Sequence, residues 1–299
     1  MSRRAVSIRE PIFLNCMSRG GSNIFWNFFL THPGACSPIR ETVELFRTGW
    51  RAPTWAGTWL AISSGQPRLF DQWYLRPRRL LRRRQRLAID RVLHRNKLLT
   101  LTDPEMRFKN RDETYTLAEV ERARLVTKNN NGLIFLNDNF RQIYPDATFF
   151  NLVRHPVALY ESHKRRRLWR SPEDSARFYH AITDKMLADV EGRERCFLTR
   201  FEDLLADPLE TLRRVYAQAG LEHEVVHQVR LRSKKHYQPG GARGSAWEIG
   251  RHFWLDFDEV PRFLDAKINE RHIDRLSPGE RESIVERTSS VLERLGYGP

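Results

Sequence analysis

Short apolar runs alternate along the chain with longer segments in which apolar residues recur at helical spacing. The short runs predict buried strands at Ile12–Cys16, 124–128, Thr148–Val153 and Cys196–Arg200. The longer segments predict helices at 23–30, 133–143, 157–169, 209–219 and 279–295. This alternation predicts an α/β fold with a mostly parallel central sheet flanked by helices. Because no repeat or long linker interrupts the pattern, we expect residues 1–299 to form a single domain.

The segment 50–103 departs from this rhythm. It is rich in Arg, Trp and Leu and contains the basic tract from Arg76 to Arg86. An apolar stripe within it is formed by Leu80, Leu81, Leu87, Ala88 and Val92. The segment therefore predicts a basic helical excursion that packs over the sheet.

The overall charge indicates anionic partners. The chain has a formal net charge of +14, which favours nucleotide phosphates, acidic glycans or peptides, anionic lipids or nucleic acid. Its three cysteines are far apart and match no metal-ligand or disulfide pattern, so we expect a reducing, cytoplasmic location and no metal. No apolar run is long enough for a transmembrane segment, although peripheral membrane contact stays open.

The first candidate site lies between the first predicted strand and the first predicted helix. Its loop is Arg19-Gly-Gly-Ser-Asn23, so that Gly20, Gly21, Ser22 and Asn23 lead into the helix. The free N–H groups at the start of a helix, with Arg19 beside them, are suited to an anion. The spacing differs from a Walker A motif, and no lysine precedes Ser22. We therefore predict a P-loop-like strand–loop–helix unit that binds an oxyanion group.

The second candidate site follows the strand Thr148–Val153. Arg154 lies at the turn after that strand, and Ser162 lies eight residues further on. A guanidinium group and a hydroxyl group on one connection can hold a phosphate through charge-assisted hydrogen bonds. The alternative is that Arg154 pairs with a carboxylate and that Ser162 is a serine on a helix surface.

Together these two segments resemble the sulfotransferase family that uses 3′-phosphoadenosine 5′-phosphosulfate (PAPS). The loop 19–23 is similar to that family's 5′-phosphosulfate loop, and Arg154 with Ser162 is similar to its 3′-phosphate element. The stretch from Arg200 to Arg214 is similar to a third family motif, Tyr/Phe-Glu-Asp-Leu followed by Pro-x-x-Thr-Leu. The resemblance covers about residues 11–45 and 124–221. It implies transfer of a sulfuryl group from PAPS to a hydroxyl group or an amine of a carbohydrate, peptide or small-molecule acceptor, with adenosine 3′,5′-bisphosphate (PAP) as the product.

The resemblance also implies candidate catalytic residues. Arg19 would be the cation at the bridging oxygen of the cosubstrate. Members that act on small molecules have a catalytic His in a Lys-Thr-His motif, where this chain has Asn130. The segment from His32 to Thr42 instead resembles the tyrosylprotein and carbohydrate branch, in which Glu41 would be the general base. The alternative for Glu41 is a surface carboxylate that begins a short helix.

A late Gly-rich, basic loop is the last candidate. Arg243 and Gly244 are similar to an Arg-Lys-Gly motif that contacts the nucleotide in cytosolic members. An ordinary surface loop is the alternative. Arg82 to Arg84 and Lys164 to Arg167 are basic tracts that could attract an acidic acceptor, or could simply be solvated helix faces.

Two other functions remain open at this point. A non-catalytic member of the same fold would bind the nucleotide and transfer nothing. A nucleic-acid-binding protein would explain the charge, but it would not explain Arg154 and Ser162 beside a matching anion loop, so we expect no nucleic acid partner.

Overall fold

The centre of the protein is a parallel five-stranded sheet. The computed structural model describes residues 7–37, 41–42, 47–48, 52–53, 82–166, 168, 171–232 and 251–297. The sheet has the strand order β2-β5-β1-β6-β7. Its strands are β1 (Ile12–Cys16), β2 (Ala35–Cys36), β5 (Arg124–Asn130), β6 (Thr148–Val153) and β7 (Cys196–Arg200). Two small antiparallel pairs are added to it: β3 (Arg47–Thr48) with β4 (Ala52–Pro53), and β8 (Gln228–Arg232) with β9 (His252–Asp256).

Helices connect the strands and cover the sheet. The first half contains α1 (Ser22–Thr31), α2 (Arg83–Leu98), α3 (Leu117–Arg122), α4 (Asn137–Ile143) and α5 (Pro156–Lys164). The second half contains α6 (Pro172–Gly192), α7 (Phe201–Ala206), α8 (Pro208–Ala219), α9 (Val260–Phe263), α10 (Ile268–Ile273) and α11 (Pro278–Arg294). Single 3₁₀ segments lie at Leu99–Thr102, Asn131–Leu136 and His223–Val225.

The hydrophobic core lies on both faces of the sheet because successive strand side chains point in opposite directions. Ile12 and Leu14 of β1 pack with α1 and the β8–β9 hairpin, whereas Phe13 packs with α2 and α4. The all-apolar face of α1, with Phe25, Phe28 and Phe29, is buried in the first of these clusters. The sheet is therefore covered on both sides, as expected for parallel strands.

The predicted α/β architecture is confirmed. The strands Ile12–Cys16, Thr148–Val153 and Cys196–Arg200 have the predicted bounds, and β5 extends two residues beyond the predicted 124–128. The predicted helix 133–143 is divided into a 3₁₀ turn and α4, and the helix predicted at 157–169 ends at Lys164. Among the described residues of the basic excursion, α2 buries Ile89 and Leu93 fully. Leu80 and Leu81 lie outside the described residues.

The strand ends place the candidate site. The strands β1, β5 and β6 are adjacent and parallel, so their carboxyl ends open at one edge of the sheet. Three buried asparagines join them there. Asn15 Nδ2 donates to Asn151 Oδ1 at 2.9 Å, and Asn129 Nδ2 donates to Asn15 Oδ1 at 3.3 Å. This ladder fixes the strand ends that carry the loops described next.

Within the part of the chain that the structure describes, none of the helices combines the length and the apolar character that a membrane span needs.

Candidate active site

The anion loop lies between β1 and α1 and depends on its two glycines. Gly21 has φ 90°, in the left-handed region, and a Cβ atom there would lie 2.1 Å from Phe201 Cδ2. A Cβ atom on Gly20 would lie 2.9 Å from the carbonyl oxygen of Met17. The helix α1 begins at Ser22, and the first N–H groups of a helix have no partner within it. Both glycines are thus required by the close approach of the loop backbone to Met17 and Phe201.

Two residues from other elements hold the loop at Ser18. The amide of Asn131, which has φ 54°, accepts a hydrogen bond from Ser18 N at 2.8 Å and donates one to Ser18 Oγ at 2.9 Å. The ring of His163 lies on the other side, with Nε2 2.6 Å from Ser18 O. A carbonyl oxygen only accepts, so Nε2 carries the proton. Burial lowers the pKa of His163 to about 4.

Arg19, Arg154 and Ser162 meet beside this loop. Arg19 Nε donates to Ser162 Oγ at 3.1 Å, and Arg154 Nη1 donates to the carbonyl oxygen of Arg19 at 2.8 Å. Both Arg154 and Ser162 are buried, and the Arg154 guanidinium lies over the Phe201 ring. The two sequence motifs, 143 residues apart at Arg19 and Ser162, therefore form one cationic site. Because Ser162 is buried, the alternative that it is a serine on a helix surface is excluded.

The late helix α10 also contacts Arg154. Asn269 Oδ1 accepts from Arg154 Nε at 2.8 Å, and His272 Nδ1 lies 3.0 Å from Arg154 Nη2. Asn269 donates in turn to Glu202, which also accepts from the backbone N–H of His155 at 3.0 Å. The guanidinium orientation of Arg154 is thus fixed by Asn269 and His272, which lie outside the sequence motifs, and through Asn269 by Glu202 of the third motif.

Glu41 lies at the same edge of the sheet and is held by two side chains of β5. Lys128 Nζ lies 2.8 Å from Glu41 Oε1, and Asn130 Nδ2 donates to Glu41 Oε2. Asn130 Oδ1 accepts from the Cys16 thiol at 2.8 Å, and burial raises the pKa of that thiol to about 12. The Glu41 side chain is 32% exposed, so an acceptor can reach it. Asn130 thus orients the Glu41 carboxylate.

Lys128 connects Glu41 to the anion loop. Its ammonium group donates to Asn23 Oδ1 at 2.6 Å and lies 4.7 Å from the centre of the Trp26 ring. Because Oδ1 of Asn23 accepts from Lys128, its Nδ2 group is left as the donor of that side chain. The buried lysine therefore joins the candidate base to the loop that would hold the anion.

The structure brings most of the sequence-predicted site residues together and places further residues beside them. Arg19, Gly20, Gly21, Ser22, Asn23, Glu41, Arg154 and Ser162 lie at one edge of the sheet. Arg243 and Gly244 lie outside the described residues. The sequence gave no role to Lys128, Asn130, Asn131 or His163. Alternation along β5 could have identified Lys128, since it shares a face with Val126, which packs in the cluster with α1.

Comparison with protein families agrees with this geometry. The sulfotransferase family profile matches residues 11–225, which include the anion loop, Glu41, Arg154 and Ser162. This chain belongs to the sulfotransferase family. The resemblance carried by the sequence motifs is thereby confirmed.

Two curated sulfotransferases are related to part of the chain. They are the omega-hydroxy-beta-dihydromenaquinone-9 sulfotransferases Stf3 of Mycobacterium bovis and Mycobacterium tuberculosis, each 31% identical over 106 residues. The match covers 30% of this chain and 27% of each relative. The chain thus matches about a quarter of the length of these sulfotransferases.

Solved sulfotransferase structures share the fold over the whole chain. The sulfotransferase domain of the Synechococcus PCC 7002 olefin synthase has a TM-score of 0.53 at 14% identity, covering 100% of this chain and 98% of that domain. The sulfotransferase domain from the curacin biosynthetic pathway also has a TM-score of 0.53, at 13% identity, covering 97% of this chain and 99% of that domain. At such identities the similarity concerns the fold.

Proposed function

We propose that this sulfotransferase moves a sulfuryl group from PAPS to a hydroxyl group of its acceptor, with Glu41 as the general base. The observation that carries this proposal is the link from Glu41 through Lys128 to Asn23. It brings a partly exposed carboxylate to the anion loop through one buried ammonium group.

The residues at the strand ends fit PAPS. The loop 19–23 offers backbone N–H groups and a cation, and its glycines allow the backbone to pack closely against Phe201 and Met17. Arg154 and Ser162 would hold the 3′-phosphate, and the loop would hold the 5′-phosphosulfate. Bound PAPS would supply the sulfuryl group, and the protein would supply the charge and the proton acceptor.

Each side chain then has a defined task. Glu41 accepts the proton of the acceptor hydroxyl, because a carboxylate that accepts two hydrogen bonds retains further lone pairs. Lys128 stabilises negative charge that develops between the loop and the acceptor, as required for in-line transfer of such a group. Arg19 is the second cation at the loop. Asn130 keeps the Glu41 carboxylate in position.

We propose a small-molecule hydroxyl compound as the acceptor to test first. The Stf3 relatives are named for a hydroxylated dihydromenaquinone, which favours this class over peptides and carbohydrates. An assay should present long-chain alcohols, tyrosine peptides and uronic-acid glycans in parallel, with PAPS as donor. PAP release with any one of them identifies the acceptor class. Tight PAP binding without transfer to any class would favour a non-catalytic member of the family.

The donor is tested first by calorimetry. The wild-type chain and Arg154→Ala are titrated with PAP, ADP and short duplex DNA. We expect PAP to bind more than tenfold more tightly than ADP, a difference of about 1.4 kcal/mol, and Arg154→Ala to remove that preference. Equal binding of PAP and ADP, or preferred binding of DNA, would overturn the assignment of PAPS.

A further inference from the structure

Every exposed residue of helix α2 is an arginine. These residues are Arg83, Arg84, Arg91 and Arg95, and the N-cap residue Arg82 is exposed as well. Arg84, Arg91 and Arg95 are separated by seven and four residues, so they lie on one stripe along the helix. The outer surface of α2 therefore consists mainly of guanidinium groups.

The other charged side chains of α2 point into the protein. Asp90, the one acidic residue of Arg83–Leu98, is buried and accepts hydrogen bonds from Ser7 N at 2.8 Å and from Tyr144 Oη at 3.0 Å. Lys97 is also buried, and its Nζ donates to the carbonyl oxygen of Glu121 at 3.0 Å. The helix thus has no carboxylate on its outer surface to pair with the arginines.

Neighbouring elements do not supply a carboxylate either. Within the described part of the chain, the exposed arginines of α2 form no ion pair. Exposed arginines on three other helices are paired: Arg177 with Asp174, Arg213 with Glu210, and Arg294 with Asp184 and Glu191. Like charges on one helix repel one another, so an anionic surface placed against α2 would stabilise its arginine face.

The arginine face lies away from the candidate active site. Ser7 and Tyr144, which contact Asp90, precede the strands β1 and β6, so the middle of α2 lies beside the amino ends of those strands. The candidate site with Glu41 lies at the carboxyl ends of the sheet. A partner that covers α2 therefore leaves this site open.

The chemistry of the face fits a lipid bilayer. From Arg84 to Arg95 the stripe extends about 17 Å. Leu99, which is 39% exposed, follows Arg95 by four residues with helical backbone angles and continues the stripe. Guanidinium groups bind lipid phosphates, and an exposed leucine beside them suits the boundary of the acyl chains. The side chains of Gln85 and Asn96, which could read nucleic-acid bases, instead bond to the backbone of α2 and its N-cap.

We propose that the arginine face of α2 docks this protein on a bilayer that contains anionic phospholipids. Vesicle sedimentation with the full chain tests this proposal. One set of vesicles contains phosphatidylglycerol and phosphatidylcholine in equal parts, and the other contains phosphatidylcholine alone. We expect binding to the first set, weakened at high ionic strength, and no binding to the second. No nucleotide is present, so the outcome does not depend on the proposed donor.

Two variants of α2 assign the binding to its arginines. The triple variant Arg84→Gln, Arg91→Gln, Arg95→Gln should bind the mixed vesicles about 100-fold more weakly, because each arginine near an anionic surface adds a similar increment. The single variant Arg91→Gln should lose about fivefold. All three side chains are exposed, so thermal unfolding should be close to that of the wild type.

A second triple variant is the matched control. Arg177→Gln, Arg213→Gln and Arg294→Gln together remove the same charge from other helices and should leave vesicle binding unchanged. Equal losses in the two triple variants would reveal a general effect of net charge and would overturn the docking face. The proposal also fails if the wild-type chain does not bind the anionic vesicles, or if short duplex DNA displaces it from them.

Discussion

Lys128 Nζ lies 2.8 Å from Glu41 Oε1, although the two residues come from different elements, 87 positions apart. The same ammonium group donates to Asn23 Oδ1 at 2.6 Å. A buried cation that bridges the candidate base and the anion loop couples their positions. Changes at either end of this link therefore give direct tests of the site.

Glu41→Gln should abolish turnover and leave PAP binding unchanged. The amide keeps an acceptor oxygen for Lys128 but cannot take a proton, so kcat should fall by about 10²–10⁴-fold. Steady-state kinetics and calorimetry on the same variant measure both effects. Glu224→Gln, at an exposed carboxylate beside His223, is the matched control and should retain full activity. A Glu41→Gln variant with most of its activity would remove Glu41 from the mechanism.

Lys128→Met should reduce kcat by about 10²–10³-fold, because it removes a preorganised positive charge next to the reacting groups. The fold should persist, since the flexible thioether can pack against the Trp26 ring that Lys128 now covers. Steady-state kinetics measures the loss of kcat, and thermal unfolding shows whether the fold persists. Lys267→Met, at an exposed lysine, serves for comparison. If Lys128→Met turned over at the wild-type rate, the bridge would be structural only.

Gly21→Ala should destabilise the protein and weaken PAP binding. The new Cβ would lie 2.1 Å from Phe201 Cδ2, in a backbone conformation that L residues rarely adopt. Such a conformation costs about 1–3 kcal/mol in the free energy of unfolding, before any clash is counted. Urea unfolding measures the loss. Gly192→Ala is the control, since a Cβ there has no neighbour within 4 Å, and it should be close to neutral.

The free energy of unfolding should decrease as the pH is lowered, because His163 takes up a proton more readily in the unfolded chain. Its pKa is lowered from the usual 6.5 to about 4, first by burial and then by Arg19 and Arg154. Between these values the unfolded chain binds more protons than the folded one, so stability is lost as pH falls from about 6.5 to about 4. The full contribution is about 3 kcal/mol.

His163→Gln checks this prediction. The amide keeps an N–H donor for Ser18 O but does not titrate, so the loss of stability between pH 7 and pH 5 should become smaller. His272, whose pKa is also lowered, retains its own share of that loss in the variant. Urea unfolding at the two pH values measures the difference. An unchanged pH dependence would show that His163 does not carry it.

Local pattern was sufficient for the strands and for the first strand–loop–helix unit. The apolar runs at Ile12–Cys16 and Thr148–Val153 have buried side chains throughout, so the sequence signal and the burial coincide. The glycines at 20 and 21 precede a helix, and that order alone predicts free N–H groups. The end of α5 was predicted too late, and the 3₁₀ turn before α4 was not predicted, because propensity does not fix how a helix ends.

The amino-acid sequence by itself determined the fold class and the two motifs that we predict to bind an anion, because both depend on residues that are close together along the chain. Only the tertiary structure decided how those motifs are completed. It placed Asn130 against Glu41, 89 positions away, and His272 against Arg154, 118 positions away. Such contacts depend on strand order and helix packing, and neither is encoded in the spacing of any one segment. Charge and hydrogen bonding between distant elements therefore gave this site its final form.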